Sequence, residues 1–490
     1  MKYISHILLF LFFCSGLPTL QAQEQIGGDI ILNDTAYALG NNVQISDDGT
    51  RVLVSGYGNS FQGFSVYDLV GGAWTPQPAF AETEFPKQAS SYSVAMSSDG
   101  TKIVVGSVVN DLENNFGKVR VYHYNTGNWS LIGEAIAGNS DSELFGHSVG
   151  ISDNGNRIIV GARLNSERSD YGGRVAVFQF TNGSWSQMGE SIYGETEGEK
   201  EGSAVAISGD GRRIVMGSNA FGEPFRVNFG KMQIYEWSAN TWVLKMTKSG
   251  ALRDHFGYSV AVSSDGSKFA AGATQMSFSD GYVKVYRGRT AAFEEIGGIR
   301  GANNQNLGSS VALSADGNRI AIGAARANSV INSSGFVVLY DFKGGKYDYL
   351  GIIEGLPLFS KFGKSVDISG DGNFLAVSSL DYQYGVPGSE NGVVRVYDIS
   401  NFNSQNPESG GEGSAIPIVL YPTPASTSIF CANCEDVTEL DVFDVSGKLL
   451  LSFNGPLPET LDISILQTGI YYVYLYKNET DPEVKKILKQ

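Results

Sequence analysis

The stretch from Ser310 to Ala324, SVALSADGNRIAIGA, recurs six more times with conservative changes, and this recurrence limits the fold more than any other feature of the chain. The copies begin at Val43, Ser93, Ser148, Ala204, Ser259 and Ser365. Each reads as a β-hairpin. A short apolar strand runs into Asp-Gly, or Asn-Gly in the copy at Ser148, where glycine accepts the positive φ of a tight two-residue turn, and a β-branched strand leaves it. The turn glycines are Gly49, Gly100, Gly155, Gly211, Gly266, Gly317 and Gly372. A period of this size marks a propeller or an array rather than independent domains.

Each hairpin is followed by a loop and then by a glycine that opens an alternating strand, as in GKVRVYHY from Gly117 or GVVRVYDI from Gly392. A fourth strand follows a second short turn, its aromatic position held by Trp74, Trp129, Trp185, Trp242, Phe293 and Tyr347. Four antiparallel strands, a to d, make one propeller blade, so the fold class expected is all-β. The seventh repeat stops after its third strand, at Asp398-Ile399-Ser400, while QIGGDI (Gln25 to Ile30) aligns with LIGEAI (Leu131 to Ile136) of a fourth strand. The first strand is therefore expected to complete the last blade, closing a seven-bladed ring and removing an open sheet edge.

The domain plan that follows is a leader at 1–22, the propeller at 23–400, a linker at 401–415 and a C-terminal domain at 416–490. The leader has Lys2, the apolar run ILLFLFF and a small-residue cleavage site ending at Ala22, the pattern of a secretory signal. It is too short for a stable membrane span, and no other stretch reaches spanning length. The linker NFNSQNPESGGEGSA lacks hydrophobic periodicity. Beyond it seven short strands suggest a small Ig-like β-sandwich.

Net charge is −16, and −17 once Lys2 leaves with the leader, which excludes nucleic acid and anionic membrane as natural partners. Only Cys431 and Cys434 remain after the leader, so packing alone must hold the propeller. Their spacing suits a local disulfide or two idle thiols.

Strand direction in a four-stranded blade puts the a–b and c–d turns on one face and the b–c and d–a loops on the other. The first set is short and uniform. The second is long and differs in every repeat, which makes that face the expected binding surface. Loop aromatics Phe221, Phe225, Phe229, Tyr382 and Tyr384, with the acidic residues Asp141 and Glu143, are the candidate contacts for a glycan or a protein. The run Glu195, Glu197, Glu199 and Glu201 reads as solvated loop charge. The serine before each turn (Ser46, Ser97, Ser152, Ser208, Ser263, Ser314, Ser369) occurs seven times, too often for a nucleophile and as expected of a structural hydrogen bond. The fourth-strand tryptophans are expected to pack between blades. Each turn offers about one aspartate where a hard cation needs several carboxylates, so no metal site and no cofactor are assigned. His123, His147 and His255 form no recognisable catalytic grouping with serine and aspartate. The competing class is an extracellular propeller enzyme, a polysaccharide hydrolase or lyase, which would need carboxylates converging at the ring's mouth.

Two resemblances add to this reading. The repeats resemble the FG-GAP family of integrin-type propellers, through Phe145-Gly146, Phe256-Gly257 and Phe362-Gly363 and through Gly161-Ala162, Gly272-Ala273 and Gly323-Ala324. The tail resembles the type A C-terminal sorting domain of the type IX (Por) secretion system of Bacteroidetes. The residues that carry this are Tyr421-Pro422-Thr423-Pro424, then Val442 to Lys448 with Gly447, then Leu461-Asp462-Ile463-Ser464, Gly469-Ile470-Tyr471, and the basic end with Lys485 and Lys486. The second resemblance implies the type IX machinery as partner, export across the outer membrane, and a final place outside the cell or on its surface.

Overall fold

The computed structural model describes residues 24–31, 38–57, 63–78, 89–109, 116–140, 142–220, 229–274, 280–288, 292–301, 306–325, 335–355, 361–380, 392–402, 419–421, 428–432, 437–444, 448–455, 460–477 and 483–489. Every regular element among them is a β-strand. The leader and nearly all of the linker lie outside the described residues.

The described residues between 24 and 402 hold seven antiparallel sheets of four or five strands, each in chain order a-b-c-d except the last. Their inner strands are Ala38–Ile45, Ala89–Met96, Phe145–Ile151, Ala204–Ile207, Phe256–Val262, Ser310–Leu313 and Val366–Ile368, and we number the sheets 1 to 7 by them. Each inner strand touches the next, and Val366–Ile368 touches Ala38–Ile45, so the contacts form a cycle. In sheets 2 and 3 the fourth strand is broken into two pieces, Asn128–Leu131 with Ile136–Ala137 and Ser184–Gln187 with Ile192–Tyr193.

Sheet 7 takes its fourth strand from the start of the described chain. Glu24–Ile31 pairs antiparallel with Val393–Asp398, with Gln25 opposite Tyr397 and Ile30 opposite Val394 across a bulge. Arg395 grips Asp29 through Nε and Nη2 at 2.8 and 3.0 Å, fixing that register. The pairing expected from the spacing of the repeats is therefore present.

The apolar cores lie between neighbouring sheets, because the second strand of each sheet is apolar on both faces. Ile158, Ile159 and Val160 are all fully buried, and alternate side chains enter the cores on either side. One such core joins the ends of the ring, packing Ala376, Val394 and Val396 of sheet 7 against Val43, Val52 and Val54 of sheet 1. Burial of this kind contributes about 1.5–3 kcal/mol per large aliphatic side chain.

The a–b turns are built alike and depart from the two-residue expectation. In each, the serine N–H pairs with the carbonyl five residues on, as Ser46 does with Arg51 (2.9 Å), so four residues form the loop. The glycine N–H closes an inner turn onto the serine carbonyl at 2.7–2.9 Å, with the glycine φ at 62–76°. The extra residues are accommodated because side chains complete the hydrogen bonding. Ser263 Oγ donates to Asp265 Oδ1 (2.7 Å) and accepts from Lys268 N–H (3.0 Å), while Asp265 Oδ1 also accepts from Ser267 N–H (2.9 Å). The serines and aspartates thus act within the turns.

Each turn is also clamped to its neighbour. Arg51, Arg157, Arg213 and Arg319 donate to backbone carbonyls of the following turn, Gly100, Asp210, Gly266 and Gly372, at 2.7–2.9 Å. Lys102 and Lys268 reach Asn154 and Asp316 in the same way at 2.7 Å. The seventh position is Phe374, whose ring lies over Gly49 so closely that an added Cβ would come within 2.1 Å of it.

The tail contains a three-stranded sheet (Val419–Tyr421, Ser428–Ala432, Thr460–Asp462) and a four-stranded one (Val437–Asp444, Leu449–Asn454, Gly469–Lys477, Glu483–Lys489). They share one core in which Leu461 and Ile463 meet Leu440, Val442, Val473 and Leu475.

Candidate functional site

The seven inner strands enclose a channel of about 570 Å³. Its two ends differ in kind. At the turn end, backbone hydrogen bonds run from turn to turn: Asp47 N–H to Ser98 O (2.9 Å), Ser98 to Asp153 (3.2 Å), Asp153 to Gly209 (3.0 Å) and Gly209 to Ser264 (2.8 Å). Ser264 Oγ also bonds Asp153 across Gly209, where an added Cβ would have no room. This end is a laced annulus of backbone.

The walls are lined by short side chains. Ser148, Ser259 and Ser310 donate to the carbonyls of Gly202, Gly308 and Gly363 in the next sheet at 2.7–2.9 Å, stitching the inner strands together. Two residues further along each strand the wall carries Gln44, Ala95, Gly150, Ala206, Ala261, Ala312 and Asp367. Asp367 Oδ2 accepts the N–H of Ile45 from the first inner strand (2.9 Å), so it bridges the seam where the ring closes. Burial, with Asp47 nearby, pushes its carboxyl up to about 7. It is the single carboxylate among the described residues lining the channel.

At the loop end the repeats stop being alike. The position after the repeated glycine is Asn41, His147, Ser203, Tyr258, Ser309 and Lys364 in six of the sheets, and all six line the mouth together with Arg163 and Asn219 from the ends of second strands. Arg163 is half-buried, its Nε is shut off from solvent, and it makes no hydrogen bond or ion pair among the described residues. Burial, with the Arg163 guanidinium beside it, holds the His147 imidazole down at about 4, so it is neutral at pH 7. Tyr258 is 37 % exposed and lies close enough to act electrostatically on Arg163.

Around this mouth the d–a loops are held by inward-turned acids. Glu143 is fully buried, accepting from Asn139 N–H (2.7 Å) and Asn165 Nδ2 (2.6 Å) and facing Arg174 at 3.4 Å. Glu199 accepts from the N–H groups of Glu195 and Thr196 (2.8 and 2.9 Å) and pairs with Lys231. Asp254 accepts from Ala251 N–H (2.7 Å) and Tyr282 Oη (2.6 Å). In all three an acid closes its own loop and then holds the first residue of the third strand of the sheet that follows. Glu201, also fully buried, lies 2.9 Å from Lys231 and accepts from Ser218 Oγ (2.6 Å), and burial pushes its carboxyl up to about 7. The solvated-charge reading therefore holds for exposed Glu195 and Glu197 and fails for Glu199 and Glu201, because Lys231 draws the latter two inward.

Of the sequence-derived contact candidates, Phe221, Phe225, Tyr382, Tyr384 and Asp141 lie outside the described residues. Phe229 is half-buried, its carbonyl accepting from Phe256 N–H (3.2 Å), and Glu143 is enclosed as described. The fourth-strand tryptophans bridge sheets, with Trp74, Trp185 and Trp242 donating to the carbonyls of Ile26, Ile132 and Met188 at 2.8–2.9 Å. His147 lines the mouth, His255 sits in a d–a loop and His123 on a third strand. Among the described residues no three His, Cys, Asp or Glu side chains gather as a metal would require. The mouth residues His147 and Tyr258 are legible only by comparing repeats, as the variable position inside an otherwise uniform strand, and Arg163 only as the variable residue that follows a second strand.

Comparison with known proteins bears on the tail. Residues 419–490 match the secretion system C-terminal sorting domain. The chain therefore carries an export address. It is a type IX secretion substrate, secreted or held at the cell surface. In this sorting domain Tyr471 is buried, with its hydroxyl donating to Gln467 O (2.7 Å), Lys448 is exposed, and Gly469 opens the strand that pairs with the one carrying Lys485 and Lys486. Tyr421 lies on the first tail strand, while Pro422, Pro424 and Gly447 are outside the described residues. No helix among the described residues is long and apolar enough to cross a membrane.

No curated protein matches the chain significantly. Solved structures similar to it include hydrazine synthase of Kuenenia stuttgartiensis (15 % identity, 78 % of this chain and 98 % of that one, TM-score 0.46). Others are a putative 6-phosphogluconolactonase of Bacteroides uniformis (13 %, 69 % and 94 %, TM-score 0.46) and a protein from Lactobacillus plantarum (15 %, 74 % and 97 %, TM-score 0.44).

Proposed function

We propose that residues 23–400 form a seven-bladed propeller of FG-GAP-like repeats that follows a cleaved signal peptide, is displayed outside the cell, and binds a polysaccharide or protein through the face carrying the b–c and d–a loops. The Ig-like tail serves as its export address. The observation that carries this reading is the contrast between the two ends of the channel. The turn end repeats the same serine, aspartate and cation contacts from sheet to sheet, leaving little for a ligand to distinguish. The loop end places a different side chain at the equivalent position of successive sheets. A rigid scaffold with its variation collected at one concave face is how binding sites are generally mounted. Binding rather than glycoside cleavage is favoured because Asp367 alone supplies a carboxylate among the described lining residues, where hydrolysis of a glycosidic bond ordinarily uses two.

The test is to screen the purified full-length mature chain against glycan and surface-protein arrays, alongside a Tyr258→Ala variant and an Arg212→Gln variant on the turn face. Capture of a ligand by the parent and by Arg212→Gln, weakened in Tyr258→Ala, is the expected result. Capture that is indifferent to Tyr258 and lost in Arg212→Gln would move the site to the opposite face and overturn the reading.

A further inference from the structure

The mouth contains one group whose energetics call for a ligand. Arg163 stands at the end of the second strand of sheet 3, Arg157–Ala162, and its guanidinium is half-buried with Nε out of reach of solvent and of every described acceptor. Other buried or half-buried basic side chains are given partners by the fold: Arg157 and Lys268 donate to the carbonyls of Asp210 and Asp316, and several more hold acids. Arg51 and Arg319 hold Asp68 and Asp341 at 2.6–3.0 Å, Arg395 holds Asp29, Arg174 faces Glu143, and Lys231 lies between Glu199 and Glu201. A guanidinium taken partly out of water without an acceptor for its N–H groups loses solvation that nothing in the fold restores.

The surroundings of Arg163 narrow the chemistry of what would restore it. His147 beside it is neutral at pH 7, and Lys364 adds a second cation at the mouth. The Asp367 carboxylate sits further along an inner strand and is engaged by Ile45 N–H. An acidic chain of net charge −16 thus gathers cations rather than acids at this opening. The remaining lining is Asn41, Asn219, Ser203 and Ser309, neutral groups suited to hydroxyls, with exposed Tyr258 at the same mouth and near enough to act electrostatically on Arg163. A planar fork of donors for a carboxylate, an aromatic face for a sugar ring and amide or hydroxyl partners for sugar hydroxyls fit one kind of ligand.

We propose that the channel mouth is a subsite for a uronate residue of an acidic polysaccharide, with Arg163 binding its carboxylate and Tyr258 stacking on its ring. This rests on the loop end being the binding face and names the ligand class for it. Binding completes the hydrogen bonding of Arg163 and involves no covalent step.

The experiment is calorimetric titration of the full-length mature chain at pH 7 with tetragalacturonate and with the same oligomer after carboxyl reduction. Arg163→Gln, Arg163→Lys, Tyr258→Ala and the charge-matched control Arg212→Gln are titrated beside it. The parent and Arg212→Gln should bind tetragalacturonate alike, and Arg163→Gln should weaken binding by roughly tenfold or more, the worth of a hydrogen-bonded charge. Arg163→Lys, which keeps the charge without the fork, should also lose affinity, and the reduced oligomer should bind the parent no better than tetragalacturonate binds Arg163→Gln. Thermal unfolding of Arg163→Gln should occur at or above the parent's temperature, since the substitution removes an unpaired charge. Equal binding of the charged and reduced oligomers, or undiminished binding by both Arg163 variants, overturns the proposal. Absence of uronate binding by the parent also overturns it, and if the parent still captures a neutral glycan or a protein in a Tyr258-dependent way, the broader binding reading stands without it.

Discussion

Asp367 gives the sharpest quantitative test of the closed ring. Its carboxylate lies in the channel wall at the seam, where the last inner strand meets the first, and accepts the Ile45 N–H at 2.9 Å. Burial raises its proton affinity to about 7, against about 3.9 in an unfolded chain. A carboxyl raised on folding binds its proton more tightly in the native state. Its effect on stability is therefore absent below pH 4, becomes increasingly unfavourable as pH rises from about 4 to 7, and levels off above. At about 1.4 kcal/mol per pH unit, three units amount to about 4 kcal/mol, an upper bound that channel water reduces. Asp367→Asn keeps an oxygen for the Ile45 N–H and removes the titration. The variant should match the parent in urea unfolding at pH 4 and exceed it by about 1–4 kcal/mol at pH 8. A constant difference across that range, or a variant less stable at pH 8, would refute burial of an ionisable group at the seam.

Further outcomes follow from the repeated contacts. Ser263→Ala leaves the Lys268 N–H without its side-chain acceptor and takes one of the donors from Asp265, at a fully buried serine, and should cost about 1–3 kcal/mol in urea unfolding. An unchanged stability would make the turn serines dispensable. Asp29→Asn loosens the pairing of the first strand, where the Arg395 hydrogen bond holds the Asp29 carboxyl below its usual range. A lowered carboxyl stabilises above its unfolded value and loses that contribution as pH falls through the folded one, so parent and variant should differ at pH 7 and converge only below the ordinary carboxylate range in the amide exchange of residues 24–31.

How much of this was legible in the sequence follows from how local each contact is. The strands and the ring of sheets were readable because one hairpin recurs, and the role of Glu24–Ile31 because Gln25 to Ile30 repeats the fourth-strand pattern of Leu131 to Ile136. The turn serines and bridging tryptophans were readable because repetition marks a structural role. The length of the turn was misjudged, since Asp-Gly alone suggests two residues and the serine and aspartate side chains stabilise four. The acids were harder. Glu143, Glu199 and Asp254 are inward-facing only because Arg174, Lys231 and Tyr282 await them 28 to 32 residues later, a pairing fixed by tertiary register. The mouth is not legible from any one segment, because Arg163, His147 and Tyr258 are unremarkable locally and meet only when the sheets close around the channel.

The closed ring is tested most directly by hydrogen–deuterium exchange of the purified protein, read at residues 24–31 beside Val393–Asp398. The account predicts slow exchange of Gln25, Ile26 and Ile30 amides, comparable with that of the strand they pair with. Exchange in the first strand at the rate of an unstructured peptide, with Val393–Asp398 protected only on its other side, would contradict it.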